Sequence, residues 1–112
     1  RFAQPVRMDE RIGKLWEMVA ADLSHPWTID ELARTAHMSE KQFQRLCRRE
    51  LGRSPRQQLI WLRIRRAAEL LSSGGDKIAT IAAQVGYQNP FVFSSTFKRC
   101  LGWPPSEYPG RK

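Results

Sequence analysis

The chain is short of the residues that carry chemistry. Only two cysteines and two histidines occur in 112 residues, and Cys47, Cys100, His25 and His37 have no zinc-ligand spacing. That excludes a disulfide framework and a structural metal site, and both thiols are expected reduced and buried on apolar helix faces. The compartment expected is reducing and cytoplasmic, with no cofactor. No apolar run approaches the roughly 20 residues that span a bilayer, and no signal peptide is visible, so no membrane partner is expected. No stretch alternates like a half-buried strand, which leaves an all-α fold. A glycine-rich phosphate loop, a carboxylate cluster and a nucleophile–base arrangement are all missing, which argues against an enzyme. Acidic residues are scarce too, 11 against 19 Lys and Arg, and the net charge of +8 favours a polyanionic partner.

What is present is an internal echo. Leu51-Gly52-Arg53-Ser54-Pro55 returns 50 residues later as Leu101-Gly102-Trp103-Pro104-Pro105, Phe43 returns as Phe93, and Cys47 as Phe97. Upstream the echo slips by one residue, with Leu32-Ala33 answered by Ile81-Ala82 and Ala36 by Val85. Self-similarity at a fixed period means one supersecondary unit built twice. The length suffices for one core or two small ones.

Helix signals divide the chain further. Ile12, Leu15, Trp16, Val19, Ala20 and Leu23 recur at helical spacing over residues 9–23, and Ser24-His25-Pro26 stops that helix. Thr28 to Glu31 and Ser39 to Gln42 each read as a capping box, with Trp27/Leu32 and Met38/Phe43 as hydrophobic staples. The helices they open end near Ala36 and at Gly52. Only His37 and Met38 separate the first from the second cap, a turn that asks for one residue at positive φ, and His37 is expected there as a turn residue without chemistry. Ser54 and Pro55 open a long helix to about Ser72, whose apolar residues on two sides mark burial between neighbours. After Ser73-Gly74-Gly75-Asp76 the second unit follows: Ile78 to Val85, a turn at Gly86, Asn89 as cap with Pro90 behind it, a helix to Leu101, and a closing turn at Pro105 to Tyr108.

At about 100° per residue, Phe43, Leu46, Cys47 and Leu51 form the core stripe of the helix after Ser39. Lys41, Gln44, Arg45 and Arg48 gather opposite. Arg grips guanine O6 and N7, Gln pairs with adenine N6 and N7, and Lys meets base or phosphate. The equivalent face of the second copy carries Phe91, Ser94, Ser95 and Lys98, with fewer long polar side chains. Phe91 either packs on a neighbouring helix or stands exposed to meet thymine methyl groups. Lys41, Gln44, Arg45, Phe91, Ser94 and Ser95 are therefore the candidates for reading base edges. Thr28, Ser39 and Asn89 at helix amino ends, together with Arg48, Arg49, Lys98 and Arg99, are the candidates for phosphate. The first unit is expected to read sequence and the second mostly to grip the backbone. The competing reading is a protein-interaction module using Phe91 and Val92.

Ile81-Ala82, Val85-Gly86-Tyr87, Phe93-Ser94, Phe97-Lys98-Arg99 and Gly102 to Tyr108 form an ordered signature. It resembles the DNA-binding domain of the AraC/XylS family of bacterial transcription regulators, from about Ile12 to Tyr108. The resemblance implies about seven helices: an N-terminal helix plus first helix-turn-helix in residues 1–53, a linker helix in 54–74, and a second helix-turn-helix with closing turn in 75–112. It also implies one monomer on an asymmetric double-stranded DNA operator, two helices in adjacent major-groove segments, and activation through RNA polymerase. The chain opens on Arg1, so a fragment is expected, monomeric alone, its intact form dimerising through a missing effector domain. His37 departs from the turn glycine usual in the family, Cys47 from an aromatic, and Ser95 and Pro109 each from an arginine.

Overall fold

The computed structural model describes residues 9–109; the outermost residues of the expected segments, 1–8 and 110–112, lie outside them. Among the described residues six α-helices and a 3-10 turn occur, with no strand: α1 (Glu10–Ala20), α2 (Ile29–Thr35), α3 (Glu40–Leu51), α4 (Pro55–Ser73), α5 (Ile78–Gln84), α6 (Pro90–Leu101) and the 3-10 turn Pro105–Glu107. The fold is all-α, and its seventh helical element is that single closing turn. The helices pack as two units, residues 9–21 with 27–58 and residues 22–26 with 59–109.

The first unit buries Ile12, Leu15, Trp16 and Val19 of α1 together with Leu32, Ala33, Ala36, Met38, Phe43, Leu46 and Cys47. Trp16 stacks on Phe43 with ring centroids 6.1 Å apart. Both expected N-caps form: Thr28 Oγ1 accepts from the Glu31 N–H and Ser39 Oγ from the Gln42 N–H, each at 3.1 Å. His37 adopts φ 59°, and Gly52 ends α3 at φ 74°. Ser54 caps α4 as expected and Gln57 adds an unforeseen half: Ser54 Oγ accepts from the Gln57 N–H at 3.2 Å, while Gln57 Oε1 accepts from the Ser54 N–H at 2.8 Å. This is a complete capping box.

In the second unit Ile64, Ala67 and Leu71 of α4 pack with Ile81, Ala82, Val85, Phe93 and Phe97. Aromatic rings run through it in series, Tyr87 to Phe93 at 5.5 Å, Phe93 to Phe97 at 5.7 Å and Phe97 edge-on to Tyr108 at 5.3 Å. Cys47 holds the place of Phe97 in the first unit, so no such series can run there.

The echo survives down to single hydrogen bonds. Met38 N–H donates to Ala33 O at 2.9 Å as Tyr87 N–H does to Ala82 O at 2.8 Å. Likewise Gly52 N–H donates to Arg48 O at 3.0 Å and Gly102 N–H to Lys98 O at 2.7 Å. Tyr87 follows Met38 by 49 positions, but the cap Asn89 follows Ser39 by 50, so the slip is one added residue, Gln88, in the second turn.

Three expectations need correction. α1 stops at Ala20, not residue 23, and Ala20 is exposed. Leu23 is buried, but within the second unit, because Arg63 holds the carbonyls of Leu23 and His25 at 3.2 and 2.9 Å. Carbonyls so engaged lie in a bend rather than a continued helix. Cys100 is exposed rather than buried. It lies in the last turn of α6, where Leu101 is only part-buried and Gly102 and Trp103 are exposed, so the apolar stripe there outruns the core.

Candidate nucleic-acid interface

The core stripe of α3 fixes what its other side presents. With Phe43, Leu46 and Cys47 turned inward, Lys41, Gln44, Arg45 and Arg48 are all exposed on the opposite face. The Ser39 cap and the His37 turn set where this face begins. Four long hydrogen-bonding side chains in two turns of helix form a surface that can donate to and accept from base edges.

Arg49, placed among the phosphate candidates, has an internal partner. Its Nη2 lies 3.5 Å from Glu50 Oε1, with Arg49 largely exposed and Glu50 almost covered. Glu50 also accepts the Asp9 N–H on both oxygens, at 3.0 and 2.9 Å. The Arg11 guanidinium and N–H beside the Asp9 carboxylate hold that carboxyl below its ordinary range, and Asp9 in turn raises Arg11. Arg48 carries no such tie on the exposed α3 face.

On α6 the core takes Phe93, Thr96 and Phe97. Ser95, Lys98 and Arg99 are exposed and Ser94 is half-buried. Phe91 is 83% exposed, so it does not pack on a neighbouring helix. Val92 beside it is 51% exposed. Asn89 Oδ1 accepts from both the Phe91 and Val92 N–H groups, at 2.8 and 3.3 Å. Those N–H groups are therefore satisfied within the helix, and what Asn89 can offer a phosphate is its amide donor. Thr28 and Ser39 likewise spend their oxygens on caps, and each hydroxyl retains its hydrogen to donate. The α5 cap position, Lys77, makes no side-chain cap bond.

Behind α6 stands an assembly that residue patterning did not single out. The Arg63 guanidinium is half-buried, and burial lowers its pKa while the nearby Tyr87 opposes that shift. Burial raises the Tyr87 hydroxyl in turn. Gly86 fits against this pair at φ 99°, where a Cβ would stand 2.4 Å from Leu23 O and 2.7 Å from Arg63 Nε. The signal for Arg63 was available: Leu59 and Ala67, four residues either side, are core positions, so a cation stood on the apolar stripe of α4. The Cys47 thiol is pushed up to about 11 by burial, which the Trp16 indole counteracts and the Glu50 charge reinforces. It is no nucleophile at neutral pH. Among the described residues no group of histidines, cysteines and carboxylates could hold a metal ion, and no helix is long and apolar enough to cross a membrane.

Two helix pairs, each with a capped second helix behind a tight turn, define a helix-turn-helix protein. A helix-turn-helix domain family model matches residues 32–111. The chain is similar to a putative AraC-like transcription regulator of Streptomyces lividans, 37% identical over 87 residues, covering 78% of this chain and 29% of the relative. It is also similar to the RCS-specific transcriptional activator RclR of Escherichia coli strain K12, 35% identical over 98 residues, covering 88% and 34%. Among solved structures, the DNA-binding domain of AdpA, a global transcriptional factor in complex with a target DNA, superposes with a TM-score of 0.84 at 28% identity, covering 88% of each chain. The chain belongs to the AraC-type helix-turn-helix family, a family of transcription regulators and not of enzymes. It spans about a third of the length of the curated relatives it matches.

Proposed function

We propose that this chain binds double-stranded DNA sequence-specifically as the DNA-binding part of a transcriptional activator. The observation that carries the reading is the α3 face, where Lys41, Gln44, Arg45 and Arg48 are exposed together opposite a buried stripe. In this proposal Lys41, Gln44 and Arg45 read base edges from one major-groove segment. Phe91, Ser94 and Ser95 of α6 meet the next segment, about one turn or roughly 34 Å away. Thr28, Ser39, Arg48, Arg49, Asn89, Lys98 and Arg99 position the backbone through phosphates. One chain then recognises an asymmetric operator without a twofold partner. RNA polymerase as a further partner, and dimerisation of a longer protein, belong to the same proposal. The net charge of +8 and the AdpA likeness support it.

Selection of binding sites from random duplexes tests it. The expected result is one enriched asymmetric site with two clusters of preference about a helical turn apart. A palindromic site, or no enrichment over bulk DNA, overturns the two-helix reading. Log affinity should fall with log salt at a slope of roughly −5 if about six phosphates are neutralised.

A further inference from the structure

Phe91 is the most exposed of the large apolar side chains among the described residues, and Val92 comes next. The core does not call for either, since Phe93, Thr96 and Phe97 already fill the inward face of α6. Both stand in the first turn of the helix, directly after Pro90, with their N–H groups held by Asn89 Oδ1. The backbone beneath the two side chains is thus fixed, and the helix tip presents carbon where a phosphate-binding tip would present N–H groups. First-turn residues are also the ones a recognition helix brings to base edges.

The charge of the helix pair that carries this tip points to its occupant. From Lys77 to Ser106 the chain contains no acidic residue, and its charged side chains are Lys77, Lys98 and Arg99. All three are exposed. An apolar point on a helix pair whose own charged side chains are all positive, between Asp76 and Glu107, matches a polyanion that carries apolar points of its own. Duplex DNA is such a partner: phosphates line the groove, and the C5-methyl of thymine is the one apolar group on its major-groove floor.

Resting on the proposed entry of α6 into the major groove, we infer that Phe91 and Val92 are a methyl reader. They select pyrimidine C5-methyl groups by apolar contact. The α3 face reads hydrogen-bond patterns instead, since Lys41, Gln44, Arg45 and Arg48 offer no comparable apolar surface. The two units would then recognise different chemistry: donors and acceptors in one cluster, methyl groups in the other. Ser94 and Ser95, beside Phe91 on the helix wheel, are short enough to let the ring approach the base pairs.

The test uses the duplex enriched by selection. Each thymine is replaced singly by uracil, which removes the methyl and leaves every hydrogen-bonding group in place. Binding is measured for the native chain and for Phe91→Ala and Val92→Ala. Loss of one buried methyl corresponds to roughly a fourfold change in affinity. The expected result is about that loss at one or two thymines of a single cluster. It should vanish in Phe91→Ala or Val92→Ala, which bind thymine and uracil duplexes alike. Both positions are exposed, so the variants keep the core. A second cluster without thymine, or uracil effects that persist unchanged in both variants, overturns the inference. So does a Phe91→Ala protein with native DNA affinity that has lost transcription activation, because the tip then serves a protein partner. If an enriched site is found and Arg45→Ala weakens it while uracil has no effect, the methyl reader alone fails. If no duplex is enriched, the underlying DNA reading fails with it.

Discussion

Glu50 receives the backbone N–H of Asp9 on both carboxylate oxygens, at 3.0 and 2.9 Å, across 41 residues of sequence. In a capping box the reaching-back acceptor sits three residues into the same helix. At α1 that acceptor comes from the end of α3, while Asp9 supplies the local half by accepting the Arg11 N–H at 2.9 Å. The start of α1 is thereby tied to the helix whose outer face carries Arg45 and Arg48. Glu50→Ala should cost about 1–3 kcal/mol, because it strands a part-buried N–H that had a charged acceptor. Glu50→Gln, which keeps one acceptor oxygen, should cost less. Urea unfolding of the three proteins checks the order, and equal stability of all three would show that water replaces the carboxylate.

At the two tight turns, adding a Cβ at one and removing one at the other should move stability in opposite directions. Gly86→Ala drives a Cβ to 2.4 Å from the Leu23 carbonyl at a φ of 99°. Strain and steric overlap together should lower stability by about 3 kcal/mol or more, since the obstructing atom is backbone. At His37, φ 59°, a side chain is already present in the left-handed region. His37→Gly should raise stability by about 1 kcal/mol by removing the cost of that conformation. Thermal melts of both variants decide this. Destabilisation by His37→Gly would mean that the imidazole makes a contact worth more than the backbone strain.

Local chemistry explains why so much of the fold was legible. Caps at Thr28, Ser39 and Asn89 and the stop at Gly52 depend on residues within four positions, and all formed where the sequence placed them. The periodic faces of α3 and α6 were equally readable, because burial of Phe43 or Phe93 determines which side is left outside. What periodicity cannot supply is whether another element covers that outer side. The exposure of Phe91 therefore had to come from the structure, as did that of Cys100 at a helix end beyond its core. Arg63 and Glu50 were missed because their partners lie 38 to 41 residues away. Such pairings follow from tertiary packing, and the local pattern can show only that a cation stands on the apolar stripe of α4 at Arg63, not what it holds.

Cys47 gives the first unit an alkaline sensitivity. Its thiol is pushed from 9.0 up to about 11 by burial. Below pH 9 the thiol is protonated whether folded or unfolded, and the contribution to stability is intact. Between about 9 and 11 the unfolded chain loses that proton while the folded one retains it. Stability then falls as pH rises, by roughly 1.4 kcal/mol per pH unit, and levels off once the folded thiol also ionises. Tyr87, raised by burial in the second unit, adds a loss of the same sign at higher pH. Comparing urea midpoints of the native protein and Cys47→Val from pH 8 to 11 isolates the thiol. Parallel curves would mean that Cys47 ionises as easily folded as unfolded.

Arg45, Arg49 and Lys98 should separate on DNA by their surroundings. Arg49 is paired with Glu50 at 3.5 Å, its own guanidinium largely exposed but the carboxylate almost covered, so removing Arg49 leaves a covered charge with the Asp9 N–H as its remaining partner. Arg49→Ala should therefore lower stability by about 1 kcal/mol, leaving the chain folded and able to report on DNA. If Arg49 and Lys98 neutralise phosphates, Arg49→Ala and Lys98→Ala each weaken every duplex alike. Each also makes the log-affinity against log-salt slope shallower by about 1. Arg45 is exposed on the α3 face, and the proposal gives it a bidentate grip on a guanine edge. Arg45→Ala should cost about 1–3 kcal/mol on the selected site, relax preference at one base pair, and change little on unrelated DNA. Titrations on selected and scrambled duplexes at several salt concentrations distinguish these roles. An Arg45→Ala protein that loses equally on both duplexes makes Arg45 a phosphate anchor, and base reading by α3 would then rest on Lys41 and Gln44.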